Sequence, residues 1–438
     1  MFIPMNENPF PKPPPAAPLP LEDWLELTDR AEVGREPFFR GRDAEYEVFR
    51  GAVKSLGRGH IGGGTMIFQG APGAGKTALM GECMEAVRLH STPQDPWVAI
   101  LIDPDTLQSA ANVVMIMIEE ANRERERLAE HYPGQVSKGS EKMKELSKKL
   151  VSALSEGGCT VKAGGLGLTV HGKPQDTPNP ETIIAERVFR DAAPLLGDIH
   201  MVIFVDEAQN IPVNQSTKAV MKCLHKNPKD IPLVAAFFGL SDTRRVLEKC
   251  GLSRPPRKRV ITLRRLTHED TTNVIQSVFD AYSFKGSSQA TWVNALVELS
   301  QGWPQHANNV SVAAGQVISD HGGIINEDLL LRAIQLGEEL KEEYYTYRLD
   351  ACSGHPWVYK NLAQEAQDRN GVLSWDEIDE LTQFARSRKQ QSTDDFLIDA
   401  LHAGVLAETG KLPKHYEIPI PSFCDYLRKL PVNPPYKP

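Results

Sequence analysis

No run of apolar residues in this sequence approaches the eighteen or so that a membrane-spanning helix requires, so no membrane partner is expected. There is no excess of positive charge either: 49 Lys and Arg stand against 57 Asp and Glu, a formal net charge of -8. The whole chain therefore exerts no field that would gather nucleic acid or acidic lipid, and any DNA contact has to come from a local patch. Cysteine is sparse and unpatterned. The six residues Cys83, Cys159, Cys223, Cys250, Cys352 and Cys424 form no C-x-x-C pair and have no His-rich neighbour, which argues against a zinc site or a dithiol redox pair. The first residues, from Met1 to Asn8, lack the basic start and apolar stretch of a secretory signal, and the expected location is cytoplasmic.

What the chain does have is room. Its 438 residues, 41% hydrophobic and 24% charged, suit two to four globular domains with at least one sizeable core. Between Pro4 and Pro20 proline is too frequent for helix or sheet, since each lacks an N–H donor and fixes its own φ. Residues 1–30 are thus an extended arm, either a solvated tail or a strap along a neighbouring subunit.

Four runs, Thr65 to Phe68, Val98 to Ile102, Met201 to Val205 and Leu233 to Phe238, are apolar without polar alternation, as in strands buried on both faces of a parallel sheet. A fifth, Val260 to Leu263, is shorter. Helical spacing separates them, as in Leu79, Met80, Cys83, Met84 and Val87, so residues 31–266 are expected to form a layered α/β domain. Its second and third strands are unusually far apart in sequence. An insertion is expected there over about 134–175, with a helix capped by Ser140 and a hairpin around Gly164 and Gly165. Thr267 to Asp270 opens a helical lid over 267–349. Residues 350–438 then give three helices, one capped by Ser374 with Glu377 and one from Thr393 to His402 stopped by Gly404, followed by two short strands. These are the parts of a winged helix.

The chemistry is concentrated in two places. Gly70, Ala71, Pro72, Gly73, Ala74, Gly75, Lys76 and Thr77 spell G-x-x-x-x-G-K-T between a predicted strand and a helix continuing through Ala78. Glycines let successive N–H groups point into one concavity around phosphates, Lys76 neutralises the β and γ oxygens of ATP, and the Thr77 hydroxyl ligates Mg²⁺. At the end of the third strand, Asp206 can hold the Mg²⁺ shell and Glu207 can activate water for attack on the γ-phosphate. An ATP-hydrolysing protein is the expectation.

With these motifs the sequence resembles AAA+ ATPases, particularly the branch of origin-recognition ATPases, phage and transposon DNA-targeting ATPases and the related STAND signalling ATPases. Phe39-Arg-Gly-Arg42-Asp-Ala-Glu45 is similar to the F-x-G-R-x-x-E box before the phosphate loop of that branch, which puts Arg42 among the nucleotide-binding residues. The resemblance implies a homo-oligomer with nucleotide at subunit boundaries, coupling its ATP cycle to assembly on DNA or on a partner effector; a STAND-like switch that binds no DNA is the alternative. It also implies a water-orienting sensor at Ser241 and an arginine finger at Arg254, with Arg257 and Arg259 competing for that role. The family's lid arginine is missing, because Gly302-Trp-Pro-Gln305-His306 occupies its place. The helix that would read DNA, Thr393 to His402, carries three aspartates and no lysine or arginine, so only Arg386, Arg388, Lys389, Lys411, Lys414 and His415 are left to meet phosphate backbone.

Overall fold

The computed structural model describes residues 10–26, 35–57, 64–133, 180–226, 231–252, 257–284, 286, 288–352, 354–409 and 414–432. The expected insertion over 134–175 falls wholly outside them.

A five-stranded parallel sheet organises the first part of the chain. Its strands are β1 (Gly64–Gln69), β2 (Trp97–Leu101), β3 (His200–Val205), β4 (Leu233–Gly239) and β5 (Val260–Thr262), in the spatial order β2-β3-β4-β1-β5. Every residue of β1 and β4 is buried, which is why both read as continuous apolar runs rather than alternating ones. Before the sheet come α1 (Leu21–Leu25) and α2 (Asp43–Gly57). Between the strands run α3 (Lys76–His90), α4 (Ala110–His131), α5 (Pro180–Leu196), α6 (Gln215–Lys226) and α7 (Thr243–Lys249). One face of the sheet packs Phe68, Phe204 and Phe238 with α2 and α3, and the other packs Ile67, Ile203 and Phe237 with α4, α5 and α6.

Four helices follow: α8 (His268–Ala281), α9 (Gln289–Ser300), α10 (Pro304–Asp320) and α11 (Glu327–Asp350). Thr267 caps α8 by accepting from the Asp270 N–H at 3.0 Å. The C-terminal part is α12 (Pro356–Asp368), β6 (Val372–Ser374), α13 (Trp375–Lys389), α14 (Thr393–Ala403), β7 (Ala407–Glu408), β8 (His415–Glu417) and α15 (Phe423–Lys429), with an antiparallel sheet in the order β6-β8-β7. The Ser374–Glu377 capping box is in place, and Gly404 ends α14 at φ +78°. Strand β6 was not expected from the sequence. Its three residues pair with β8 and are too few to show alternation.

The described part of the proline-rich arm lies along its own chain. Phe10 is buried against Trp97, ring centroids 4.9 Å apart, and the Tyr46 hydroxyl donates to the Pro11 carbonyl at 3.2 Å. Farther on, Trp24 is fully buried with Phe38, Val274, Val278 and Ala307, and the Tyr282 hydroxyl donates to the Leu19 carbonyl at 2.8 Å. The arm thus spans from the sheet to the helical lid. Burying Phe10 alone is worth about 1.5–3 kcal/mol.

Candidate functional site

Strand register places the sequence motifs side by side. Gln69 pairs with Gly239 and Val205 with Phe237, so β1, β3 and β4 end along one edge of the sheet, the edge at which open α/β sheets bind ligands. Directly beyond these ends lie the glycine loop, the Asp206–Glu207 pair and Ser241. In the loop Gly73 and Gly75 have φ of +74° and +82°, a left-handed conformation that a Cβ would penalise. At Gly73 a Cβ would also sit 2.7 Å from the Gln305 Cβ and 2.8 Å from the Tyr344 hydroxyl. No side chain caps the start of α3, so its first amides remain available to an anion.

The Lys76 ammonium is buried and donates to the carbonyls of Gly70 at 3.1 Å and Ala71 at 3.2 Å. Burial lowers its pKa, opposed by the neighbouring charges of Glu207 and Asp206. The Thr77 hydroxyl donates to Asp206 Oδ2 at 2.8 Å. Burial raises the pKa of Asp206, offset in part by that hydroxyl and by the Glu207 N–H. A hydroxyl beside a buried carboxylate is a hard oxygen pair that suits Mg²⁺, which takes one or two protein ligands and completes its shell with phosphate and water. Among the described residues no group of three or more His, Cys, Asp and Glu offers an all-protein cage instead.

Glu207 stands at φ +48°, a strained position for a residue with a Cβ. Gln209 holds it there. The Gln209 amide donates to the Glu207 carboxylate, while its Oε1 accepts the Leu240 N–H at 2.9 Å, tying the carboxylate to the end of β4. Sequence reasoning overlooked Gln209; its signal was an amide two residues after the acidic pair. Arg42, also at positive φ, supports the loop from outside: it donates to the carbonyls of Ala74 at 2.9 Å and Arg264 at 2.6 Å and pairs with Glu45 at 3.2 Å. Its guanidinium lines the cleft but is largely committed to those partners.

Above the loop opens a cleft of about 920 Å³, polar at one end with Lys76, Thr77, Asp206 and Glu207, and apolar at the other with Phe38, Leu266, Val274 and Ala307. A strand, a left-handed glycine loop and a helix whose first residue is a buried lysine now surround one cleft. The fold is an α/β fold of the P-loop type. Neither a protein-family model nor a curated protein sequence matches the chain. Among solved structures it is similar to a Walker-type ATPase of Pyrococcus abyssi, with 13% identity and a TM-score of 0.48 over 92% of this chain and 99% of that one. It is similar also to the Aeropyrum pernix ORC2 protein, solved as ADPNP–ADP complexes, with 12% identity and a TM-score of 0.48 over 92% and 95%. The Thermotoga maritima RuvB Holliday junction branch migration motor matches at 14% identity and a TM-score of 0.41 over 93% and 100%. Such low identities and scores leave the roles of the site to the chain's own residues.

The remaining expected residues are placed less simply. Ser241 is not among the residues that line the cleft of the acidic pair. Its hydroxyl accepts the Glu408 N–H at 3.2 Å, and it lines a second cavity of about 410 Å³ between the phosphate loop and the strands β7 and β8. Arg254 and the side chain of Arg257 lie outside the described residues, as does Lys411. In the lid, the Gln305 N–H donates to the Gly73 carbonyl at 3.2 Å. His306 is buried with its pKa lowered by burial to about 3, so it stays neutral inside the lid.

The C-terminal domain sits directly on the phosphate loop. Gly404 approaches Pro72 so closely that a Cβ there would be 2.4 Å from the proline Cδ. His402 lines the same cleft as Lys76 and Asp206 and approaches Asp242 to 3.6 Å, which raises the histidine pKa above its ordinary value. Helix α14 therefore turns its C-terminal end to the glycine loop, leaving the exposed Asp394 and Asp395 at its other end. Of the basic residues expected to meet DNA backbone, Arg386 is bound to the Asp379 carboxylate and carbonyl and Arg388 lies over the Phe384 ring. No helix among the described residues is long and apolar enough to cross a membrane.

Proposed function

We propose that this chain is a Mg²⁺-dependent ATPase whose nucleotide cycle moves the C-terminal domain. The observation that carries the reading is the Thr77 hydroxyl bonded to Asp206 at 2.8 Å, beside Glu207 and the buried Lys76 ammonium, at the mouth of one cleft. Backbone amides of residues 70–78 hold the phosphates, Lys76 neutralises the β and γ oxygens, and Thr77 and Asp206 are the protein ligands of the metal. Bound Mg²⁺ supplies charge neutralisation at the transferring phosphoryl group. Glu207 takes the proton of the attacking water, and Gln209 orients it by holding the carboxylate. Ser241 joins the water-orienting set once its hydroxyl is released from Glu408, and Arg254 completes the site of a neighbouring copy in a homo-oligomer.

For the output, assembly on DNA or on an effector protein remains a proposal that follows from the resemblance to AAA+ ATPases, with the C-terminal domain read as a winged helix. The seating of Gly404 on Pro72 and of His402 at the cleft favours the STAND-like form of the reading, in which the closed C-terminal domain is held by the nucleotide site and released by the cycle. Lys76→Ala is the test of nucleotide binding. The parent should be stabilised by Mg·ATP in a thermal-shift titration, by about 2.7 kcal/mol at a hundred-fold excess over Kd, and the variant should not. Equal stabilisation of both would place the nucleotide elsewhere.

A further inference from the structure

Helix α11 carries an arginine into the cleft. Arg348 lines the cavity that holds Lys76, Thr77, Asp206 and Glu207, and it stands one helical turn beyond Tyr344. The Tyr344 hydroxyl donates to the Pro72 carbonyl of the phosphate loop at 2.9 Å, which fixes this part of the lid against the loop. Arg348 lies over the rings of Tyr344 and Tyr347, its guanidinium carbon 5.0 and 5.4 Å from their centroids. Stacking of this kind orients a planar cation, and the guanidinium also meets the Tyr344 hydroxyl. Its Nε is buried and has no hydrogen-bond partner, and among the described residues no carboxylate pairs with it. Its charge is felt at Lys76, where burial lowers the pKa most and Arg348 lowers it further against the two carboxylates.

An arginine with no carboxylate partner among the described residues, lining the cleft beside Lys76, is suited to hold an anion, and the lid has no arginine beside Pro304 to do so. We infer that Arg348 is the lid's phosphate-binding cation, contacting the γ-phosphate of ATP in its own chain and thereby distinguishing ATP from ADP. This rests on the reading of the cleft as an ATP site. The planar guanidinium can grip two phosphate oxygens at once, which a lysine cannot do with the same geometry. When the γ-phosphate leaves, the grip of α11 on the loop weakens, and α11 is also tied to the C-terminal domain through the Tyr345 hydroxyl on the Pro421 carbonyl at 2.8 Å. Loss of one phosphate is thereby communicated along a single helix.

Calorimetric titration of the full chain with Mg·ADP and with the Mg complex of adenylyl-imidodiphosphate separates the possibilities. Arg348→Ala should weaken the triphosphate analogue by about ten- to a hundred-fold while changing ADP affinity less than about three-fold. Arg348→Lys should recover part of the loss. Arg348→Gln, which removes the charge but keeps a planar polar end and part of the aliphatic stem, provides the same comparison if the alanine variant is poorly folded. A parent that binds neither ligand would sink the ATP-site reading itself. A parent that binds both, with Arg348→Ala and Arg348→Gln losing both equally or neither, would instead make Arg348 a packing residue of the lid and overturn the inference while leaving the site intact.

Discussion

Substituting Gly404 by alanine is expected to lift the C-terminal domain from the phosphate loop. Two costs are involved, and they can be separated. Gly404 has φ +78°, so an alanine pays roughly 1–2 kcal/mol of left-handed strain whether or not the domain is seated. The second cost exists only in the seated state, where the new Cβ would lie 2.4 Å from Pro72 Cδ and 2.6 Å from its Cγ. Both atoms belong to a ring fixed in the phosphate loop, so one partner has to retreat by about 1 Å, at an overpacking cost of roughly 1–3 kcal/mol. That shifts the seating equilibrium by about 5- to 150-fold. Gly371 is the control, because it stands in the same C-terminal segment at φ +85° with nothing within 4 Å of an added Cβ. Gly371→Ala should lose only the stability that the left-handed strain costs and leave nucleotide exchange unchanged. Gly404→Ala should release bound nucleotide several-fold to a hundred-fold faster in a stopped-flow chase. Equal exchange rates for the two variants would refute the idea that this contact gates the nucleotide site.

The seating should also depend on pH. Asp242 raises the pKa of His402, so the attraction is fully present below the ordinary histidine value and is lost as pH rises through the raised one. Hydrogen exchange of the segment around 404–409 should accordingly quicken with pH beyond its intrinsic dependence, and His402→Gln should remove the excess. For assembly, Arg254→Ala and Glu207→Gln subunits should each be nearly inactive, and mixing them should restore part of the turnover by pairing one intact base with one intact finger. No recovery, with turnover independent of protein concentration, would leave Arg254 without a role in a shared site.

The residues that meet in the candidate site were legible in the sequence because most of them belong to two short local motifs. The glycines, Lys76 and Thr77 lie within one loop, and the Asp206–Glu207 pair directly follows a five-residue apolar run, so neighbours in sequence are neighbours in space. The sheet was legible for a similar reason, since strands buried on both faces cannot hide their composition. What sequence could not supply were contacts between distant segments. Arg348 is 272 positions from Lys76, and its relevance depends on how α11 crosses the loop. Ser241 matched the expected position at the end of its strand, but the Glu408 N–H that occupies its hydroxyl comes from another part of the chain. Helix α14 was recognisable as acidic from its three aspartates. Its contact with Pro72 through Gly404 depends on tertiary packing that no spacing encodes. The arm shows the same limit: proline content indicated an extended segment, while burial of Phe10 and Trp24 against their own chain became evident only in three dimensions.

In the proposed function Glu207 activates water on an ATP held by residues 70–77, with Thr77 and Asp206 as the protein ligands of its Mg²⁺. Glu207→Gln keeps the shape of the side chain and its place beside Gln209 but removes the base. In a single-turnover experiment with radiolabelled ATP and Mg²⁺, the variant should retain ATP at parental affinity and form product at least a hundred-fold more slowly than the parent. Unchanged product formation by a variant that still binds ATP would contradict the account.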